Sequence, residues 1–318
     1  MTESRPLRFV SAAEVHAALE FPPLIEALRE LFRRGVDRTE AVHLDQPLPD
    51  GRQNVWLLLP AWQFGRHQGV KLVSVYPGNA DKGLESVVGI YVLFDGANGL
   101  PLAVIDGPAL TFWKTAANSA LAATYLARTD AATLLMVGAG ALAPYLVRAH
   151  CAVRPIRRIA LWNRTPAAAE RLAATLAGPG RSVEVATDLA AALAGADIVS
   201  CATMATAPLV KGAWLAPGTH LDLVGGFRPD MREADDDAVR RARVFIDAWF
   251  TAGAHCGDIC QPLAAGILAK EAVTDTFQLA RGERPGRLGD DEITLFKSGG
   301  GGHEDLGTAQ HLLQRLAP

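Results

Sequence analysis

Three small residues in the middle of the chain have the spacing that binds a phosphate group. Gly138, Gly140 and Ala143 follow an apolar run and open a segment with a helical pattern. The first glycine permits a tight turn, the second lets the backbone approach a pyrophosphate, and the third small residue lets the helix pack on the strand. The N–H groups where the helix starts, including those of Ala141 and Leu142, can bind phosphate. The pattern predicts a dinucleotide site, although a plain strand-to-helix turn has similar residues.

The residues that end the next apolar segment indicate which dinucleotide binds, NAD(H) or NADP(H). Trp162 is followed by Asn163, Arg164 and Thr165. Enzymes that use NAD usually carry Asp or Glu at this tip for the ribose hydroxyls. A guanidinium instead matches a 2′-phosphate through two parallel N–H groups. We therefore expect NADP(H) to be preferred, with NAD(H) as an alternative; a solvated surface arginine is the simpler explanation of Arg164.

The elements around these residues fall into two groups. In the front third, a capping box at Ser11 and Glu14 opens a helix that Pro22 and Pro23 interrupt. Strand-rich segments then cover residues 54–62, 69–77, 87–95 and 100–106 and predict a meander. From residue 111 an Ala-rich helix leads into short apolar strands that alternate with helical segments. This alternation predicts an α/β fold with a doubly wound parallel sheet.

Composition excludes several classes of protein. The 318 residues carry a net charge of −3, and no stretch concentrates Lys or Arg as a nucleic-acid surface would. No apolar run reaches the length of a membrane span, and no signal peptide is visible. The four cysteines are interpreted as reduced thiols, and we expect a cytoplasmic protein. The cluster 255–260, His-Cys-Gly-Asp-Ile-Cys, lacks a second ligand pair, so we expect no metal.

Several motifs in order give the chain a family resemblance. They are "GVKLVSVYPGN", "LTFWKTAANSALAATYLAR", "VGAGALA", "LWNRTP", "VGGFRPDMREADDD" and "EITLFKSGGGGHEDL". Together they resemble the ornithine cyclodeaminase/mu-crystallin family across nearly the whole chain. The resemblance implies a homodimer and a Rossmann NAD(P)-binding domain (116–296) inserted into a mixed α+β substrate-binding and dimerisation domain (1–115 plus 297–318). Members include cyclodeaminases, alanine dehydrogenases and imine reductases.

The resemblance also implies roles for single residues. Lys71 matches the family's active-site lysine. Lys114 stands where the family usually has the arginine that grips the substrate carboxylate. Cofactor contacts are implied for Ser86, Thr115, Asn163, Arg164, Thr165, Thr203, Val224, Gly225, Ser298 and Gly299.

Two positions depart from the cyclodeaminase pattern. Phe227 replaces the aspartate that serves those enzymes as acid/base, and Met231 replaces a lysine four residues later. We place Phe227 against the substrate. His43 and Arg52 are the nearest candidates for a further carboxylate contact. A phenyl ring cannot exchange a proton, so the pattern favours the reductase branch of the family.

We therefore expect an oxidoreductase that reduces the C=N bond of a small cyclic imino acid, such as pyrroline-2-carboxylate or piperideine-2-carboxylate. Lys114 would hold the carboxylate, and Lys71 would polarise or protonate the nitrogen. The alternatives are an ornithine cyclodeaminase, an alanine dehydrogenase-like enzyme and a non-catalytic NADP(H)-binding protein. His303, Glu304 and Asp305 head the last helix, where negative charge is expected for structural reasons.

Overall fold

The structure is a computed structural model that describes residues 7–39, 41–178 and 180–316. It divides into two compact units: unit 1 contains residues 1–114 and 301–318, and unit 2 contains residues 115–300. The division falls inside one helix and again between Gly300 and Gly301. Each unit has its own sheet. The functions that the sequence analysis assigns to the two domains remain predictions at this point.

The helices of the described residues begin and end as follows. They are α1 (Ala12–Ala18), α2 (Phe21–Arg34), α3 (Gly107–Leu126), α4 (Ala143–Val153), α5 (Pro166–Leu176), α6 (Leu189–Ala194), α7 (Asp236–Arg241), α8 (Gly257–Ala264), α9 (Thr276–Arg281) and α10 (Gly302–Arg315). Short 3₁₀ turns lie at Pro77–Lys82, Gly212–Trp214 and Lys270–Ala272, and a π-helical turn lies at Trp249–Gly253. None of these helices combines the length and the apolar character that crossing a membrane requires.

A seven-stranded sheet forms the body of unit 1. Its strands are β1 (Arg8–Val10), β2 (Arg38–Thr39), β3 (Val42–Pro47), β4 (Gln53–Gln63), β5 (His67–Val75), β6 (Val87–Asp95) and β7 (Pro101–Asp106). Strands β4 to β7 pair consecutively in antiparallel fashion, which confirms the predicted meander. Strand β1 lies parallel to β7, and β2 and β3 both pair with β4.

Helix α10 packs on the inner face of this sheet, and α2 packs on α10. The amphipathic α2 buries Leu24, Leu28 and Phe32, and α10 contacts α2, β4 and β5. The two helices come close at Gly307, where a Cβ would lie 2.9 Å from a methyl group of Leu31. The inner face is therefore a dry core in which any charged group must find a partner.

The start of unit 1 differs from the prediction in one detail. Helix α1 has the predicted capping box, in which Ser11 and Glu14 bond each other's backbone N–H, but α1 ends at Ala18. Pro22 and Pro23 lie in the first turn of α2 rather than interrupting a single helix. The first turn of a helix tolerates proline because its N–H groups have no intrahelical acceptor.

The outer face of the unit 1 sheet is apolar and exposed. Leu44 on β3, Trp56 on β4 and Val88 on β6 expose 47%, 49% and 42% of their surface, and Leu44 and Trp56 are cross-strand partners. Ile90 on β6 exposes 37%. Apolar patches of this kind are uncommon on monomers and usually mark an interaction surface.

Unit 2 is built on an eight-stranded sheet in which every pairing is parallel. Its strands are β8 (Thr133–Val137), β9 (Arg158–Trp162), β10 (Ser182–Val185), β11 (Ile198–Cys201), β12 (His220–Leu223), β13 (Ala242–Ile246), β14 (Thr274–Asp275) and β15 (Ile293–Lys297). Their order across the sheet is β10-β9-β8-β11-β12-β15-β13-β14. This is the predicted doubly wound fold.

The strand order creates a switch point between β8 and β11. From β8 the chain moves outward to β9 and β10, then returns to the other side of β8 to form β11 and β12. Open parallel sheets bind ligands at the carboxyl ends of their strands, where the order reverses. The fold therefore directs attention to the segments that follow β8 and β11.

Candidate functional site

The turn after β8 has the geometry of a phosphate-binding turn. Gly138 has a φ of +106°, and a Cβ there would lie 2.5 Å from the carbonyl oxygen of Ala202, so only glycine fits. A Cβ at Gly140 would meet no atom within 4 Å, so the backbone there faces open space. Helix α4 starts at the buried Ala143, and the apolar side chain of Leu142 before it cannot cap the helix. The N–H groups of Ala143 and Tyr145 donate to the carbonyls of Gly140 and Leu142, and Pro144 has none. Within the described residues, the N–H groups left for an anion are therefore those of the turn itself, at Gly140, Ala141 and Leu142.

A cavity of about 300 Å³ opens beside this turn. Its lining includes six predicted cofactor residues: Gly138, Gly140, Asn163, Arg164, Thr165 and Thr203. These residues follow β8, β9 and β11, which are neighbours in the sheet. The cavity lies at the switch point and has room and polar groups for the adenosine and phosphate part of a dinucleotide.

The three polar residues after β9 have different surroundings. The Asn163 Oδ1 accepts a hydrogen bond from the Ala139 N–H at 3.2 Å, and its Nδ2 donates to the Thr165 carbonyl at 3.0 Å. The amide therefore joins two loops. The Arg164 side chain is exposed at the cavity, and no ion pair joins it to another residue in the described ranges.

Four more predicted cofactor residues lie at the same edge of the sheet. Val224 and Gly225 follow β12, and Ser298 and Gly299 follow β15. A Cβ at Gly225 would lie 2.2 Å from the Thr203 carbonyl oxygen, so glycine is required where these two strand ends meet. The predicted cofactor residues at this edge thus follow five adjacent strands of the sheet: β9, β8, β11, β12 and β15.

Two predicted cofactor residues do not belong to that edge. Ser86 lies in unit 1 just before β6, and its carbonyl accepts from the Tyr76 N–H at 2.8 Å. Thr115 is a buried residue on α3. Neither residue lines the cavity.

Sequence reasoning missed a buried charged network behind the strand edge. The Glu233 carboxylate accepts from the Thr203 N–H and hydroxyl, each at 2.7 Å. Asp258 accepts from the Glu233 N–H at 2.9 Å and lies 3.6 Å from the Lys297 Nζ, which also donates to the Gly225 carbonyl. Burial raises the pKa of Glu233 to about 7, although the Lys297 charge opposes the shift. The network fixes the ends of β11, β12 and β15.

Only one residue of this buried network, Lys297, could have been singled out from the sequence. Lys297 is a charged residue at the end of the apolar run 293–296, where a solvated lysine is not expected. Glu233 sits among acidic residues that resemble a solvated surface, and Asp258 falls within the cluster weighed as a metal site. No group of three or more potential ligands for a metal is found among the residues that the structure describes.

Unit 1 contains a second buried polar group, which we call the four-charge cluster: Lys71, Lys114, Glu304 and Asp305. The Lys114 Nζ donates to a Glu304 carboxylate oxygen at 2.9 Å. The Lys71 Nζ lies 3.5 Å from the Asp305 Oδ1 and donates to the Thr111 hydroxyl at 2.6 Å. The lysines are 9% and 4% exposed and the carboxylates 0%. Two positive and two negative charges balance, as burial demands.

The groups around Lys71 change the pKa of its ammonium group. Burial lowers the pKa of Lys71, the Asp305 carboxylate opposes that change, and the Lys114 charge adds to it. Tyr91, which lies opposite Lys71 on β6, is also fully buried. Burial raises the pKa of the Tyr91 phenol well above its ordinary value, so the phenol stays neutral.

The structure therefore brings together the two lysines that the sequence singled out, and it adds partners that the sequence did not. The sequence explained Glu304 and Asp305 only as negative charge at the start of the last helix. Instead they are fully buried beside Lys114 and Lys71. The spacing of the residues gives no sign of this, because burial depends on how α10 packs on the sheet.

The three remaining candidates for substrate contact lie on exposed segments. His43 is on β3, and the Arg52 guanidinium is already paired with Asp50 at 2.8 Å and with Asp81 at 2.6 Å. Phe227 is in unit 2 and exposes 50% of its surface. Their roles remain predictions.

The fold and the site together define a class. A doubly wound parallel sheet, with a glycine turn at its switch point and a polar cavity beside it, is that of a dinucleotide-binding protein. A sequence model of the ornithine cyclodeaminase/mu-crystallin family matches residues 8–317, and the chain belongs to this family. The resemblance in the sequence motifs is thereby confirmed.

Individual members of the family are similar to the chain over nearly their whole length. The chain is 40% identical to a Delta(1)-pyrroline-2-carboxylate reductase of Paracoccus denitrificans over 98% of this chain and 97% of that protein. It is 32% identical to the ketimine reductase mu-crystallin of Mus musculus over 95% of both. The structure of Thermococcus litoralis Delta(1)-pyrroline-2-carboxylate reductase with NADH and L-proline matches with a TM-score of 0.88, 29% identity and 97% coverage of both chains.

Proposed function

We propose that the protein reduces the C=N bond of a small cyclic imino acid, such as pyrroline-2-carboxylate or piperideine-2-carboxylate, with NADPH as the hydride source. The observation that carries the proposal is the four-charge cluster of unit 1. A protonated cyclic imine with a carboxylate is a zwitterion without net charge. A buried cluster that is itself neutral can accept such a ligand without adding an unbalanced charge. The relatives named as reductases of this substrate class support the same reaction.

The residues of unit 2 fit a dinucleotide. The open backbone at Gly140 and the N–H groups of Gly140, Ala141 and Leu142 would hold the pyrophosphate. Arg164 would hold the 2′-phosphate, and the network behind Thr203 and Gly225 would fix the strand ends that face the nicotinamide. The bound dinucleotide supplies the hydride. Every other task falls to side chains of this chain.

The residues of unit 1 fit the substrate. The Lys114 ammonium would bind the carboxylate while Glu304 keeps the ammonium oriented. Lys71 would hold a proton at the imine nitrogen, because its Nζ is fixed by the Thr111 hydroxyl at 2.6 Å. Holding both ends of the substrate aligns the imine carbon, which is the main demand of the reaction.

An assay panel tests the proposal. Purified protein is mixed with NADPH or NADH and with pyrroline-2-carboxylate, piperideine-2-carboxylate, or pyruvate plus ammonia, and oxidation of the cofactor is followed at 340 nm, the absorbance of the reduced nicotinamide. We expect turnover with the cyclic ketimines. Cofactor binding without turnover of any ketimine would instead favour a non-catalytic binding protein, and turnover of pyruvate with ammonia alone would favour an alanine dehydrogenase.

We propose that the protein prefers NADP(H) over NAD(H) because of Arg164. Arg164→Ala should weaken NADPH binding by about 1.5–3 kcal/mol, the usual value of a hydrogen bond to a charged group, which is roughly 10- to 100-fold in Kd. NADH binding should change little. Fluorescence titration of both cofactors checks this, with the exposed Arg171→Ala as the matched control. An equal loss for both cofactors would remove the argument.

We also propose a homodimer that buries the outer face of the unit 1 sheet. The exposed side chains of Leu44, Trp56 and Ile90 give that face an apolar centre. A lysine in place of Trp56 should weaken association by about 2 kcal/mol or more, as at interface hot spots. Sedimentation equilibrium at micromolar concentration should show a dimer for the wild type and for Leu288→Lys, an exposed leucine of unit 2, but a monomer for Trp56→Lys. A monomeric wild type would contradict the proposal.

A further inference from the structure

Asp305 is the least satisfied member of the four-charge cluster. It is 0% exposed, and neither of its carboxylate oxygens accepts a hydrogen bond from any described residue. Its ion-pair partner is the Lys71 Nζ at 3.5 Å. An unpaired carboxylate in a core is strongly unfavourable. The Lys71 ammonium is therefore the positive charge that compensates the buried Asp305 carboxylate.

Lys71 is held in a fixed orientation. The Thr111 hydroxyl donates its hydrogen to the Gly107 carbonyl at 2.7 Å, so it accepts from the Lys71 Nζ. An ammonium has three N–H donors. One is directed to Thr111 and one faces Asp305, which leaves a third for a substrate atom.

The other titratable groups around Lys71 do not replace Asp305. On α3, Lys114 is bonded to Glu304 of α10, so these two charges balance each other. On β6, the Tyr91 phenol is neutral, and its oxygen has no hydrogen-bond partner within the described ranges. On α10, the His303 ring packs edge-on against Phe32 at 5.3 Å between centroids. Asp305 is thus the anion that balances Lys71.

We propose that Asp305 is a positioning residue that keeps the Lys71 ammonium charged inside the core, so that Lys71 delivers its third N–H proton to the imine nitrogen. The inference rests on the proposed function. As the carbon of the protonated imine accepts hydride, the electron pair of the C=N bond becomes a lone pair on nitrogen, and this lone pair takes the proton from the Lys71 Nζ, so that the product amino acid is again a zwitterion. Lys71 is left as a neutral amine and regains a proton from water before the next turnover.

The direction in which pH changes the activity follows from the charges around Lys71. Lys71 acts in its protonated form, so activity falls as the pH rises through the pKa of Lys71. Asp305→Asn removes the charge that opposes burial and Lys114. The pKa of Lys71 then drops, and the alkaline limb of the profile moves to lower pH. An opposite charge at this distance typically changes a pKa by about 1–3 units.

The experiment measures kcat/KM for pyrroline-2-carboxylate reduction against pH. Titration of the free substrate is the same for every variant, so a difference between variants belongs to the protein. We expect Asp305→Asn to move the alkaline limb down by about 1–3 pH units and to regain most of the wild-type rate at the acidic end. Asp305→Glu, which keeps the charge, should keep the limb. Asp290→Asn, an exposed aspartate of unit 2, is the matched control and should leave the profile unchanged. A limb that stays in place in Asp305→Asn overturns the proposal.

The variant Thr111→Val distinguishes the effect of the Asp305 charge on Lys71 from the effect of holding the Lys71 Nζ in place. It removes the hydrogen bond to Lys71 but no charge, so it should lower the rate and leave the limb in place. A shift as large as that of Asp305→Asn would show that loss of fixation, and not loss of the anion, changes the profile.

A second measurement does not depend on activity or on the folding of the Asp305 variants. The Lys71 Nζ of the full-length wild type is titrated by NMR with ¹⁵N-labelled lysine, and Lys71→Arg assigns the signal. We expect a charged Nζ throughout the neutral range; a Nζ that is already neutral at about pH 7 overturns the proposal. If the protein reduces no ketimine, the proposed function fails, but this titration still decides whether Asp305 and Lys71 form a charged pair.

Discussion

Lys114→Ala is expected to lower kcat/KM for ketimine reduction by roughly 30- to 4,000-fold while NADPH binding stays unchanged. Truncating one partner of a buried, hydrogen-bonded charge pair at a binding site costs about 2–5 kcal/mol, and each 1.4 kcal/mol is about tenfold. The Lys114 Nζ is 2.9 Å from Glu304 in a region with almost no exposure. Without the ammonium, the substrate carboxylate would meet a carboxylate instead of a cation. Steady-state kinetics and cofactor titration check both parts.

The structure also shows why alanine alone is an incomplete test. Removing Lys114 takes away the cation that is hydrogen-bonded to the buried Glu304 carboxylate, and breaking a buried pair in this way costs about 3–5 kcal/mol of folding stability. The double variant Lys114→Met with Glu304→Gln removes both charges and should unfold at nearly the wild-type denaturant concentration. It should still lack activity, because no cation remains for the carboxylate. Recovery of reduction together with stability in the double variant would mean that Lys114 is only structural.

The protein is expected to release no measurable ammonia from ornithine with NAD, at a rate at least about 10²-fold below that of ketimine reduction. General acid/base catalysis contributes about 10²–10⁴-fold, and the position that carries the aspartate in cyclodeaminases is Phe227. This side chain follows Gly226, whose φ is +62°, and is half exposed. Met231, in place of the second polar residue, is buried and supplies no proton either. A preformed imine needs neither group.

Ammonia and proline are measured after incubation with ornithine, beside ketimine reduction by the same preparation. Phe227→Leu is the matched variant: it keeps an apolar side chain and should keep reduction. If ornithine were converted at a rate comparable to ketimine reduction, the argument from Phe227 would be wrong, and the protein would be a cyclodeaminase.

The sequence predicted best those parts of the fold that local pattern determines. The core strands of unit 2 are short apolar runs separated by Ala-rich helical segments, so their parallel arrangement followed from alternation alone. Strand β3 (Val42–Pro47) was missed because each of its residues is exposed and its sequence mixes polar and apolar side chains. Strand β1 has three residues and pairs with the distant β7. A pairing of that kind depends on tertiary structure and has no local signal.

Some residues of the candidate site could likewise be predicted from the local sequence, and others could not. Gly138 was predictable because a turn with positive φ before a helix start is a local requirement. Gly140 was predictable because a ligand can approach the backbone closely only where there is no side chain. Helix α3 starts four residues before the predicted 111, at Gly107, because the Asp106 side chain accepts from the Ala109 N–H at 2.8 Å. The partners of Lys71 and Lys114 were not predictable. Acidic residues at a helix start are ordinary, and only the packing of α10 on the sheet makes Glu304 and Asp305 buried counter-charges.

Because Glu304 and Asp305 lie on the last helix, the core of unit 1 cannot be completed until the end of the chain has been synthesised. Lys114 and Glu304 are separated by 190 residues of chain, and at typical rates of translation the ribosome needs about 10–40 s to make that length. Until then the inner face of the unit 1 sheet lacks α10, so two lysines face a core without their carboxylates and the apolar side of α2 is uncovered. Unit 2 is complete at residue 300, before α10 exists. The front of the chain, although made first, can therefore complete its core only after the last helix has been made.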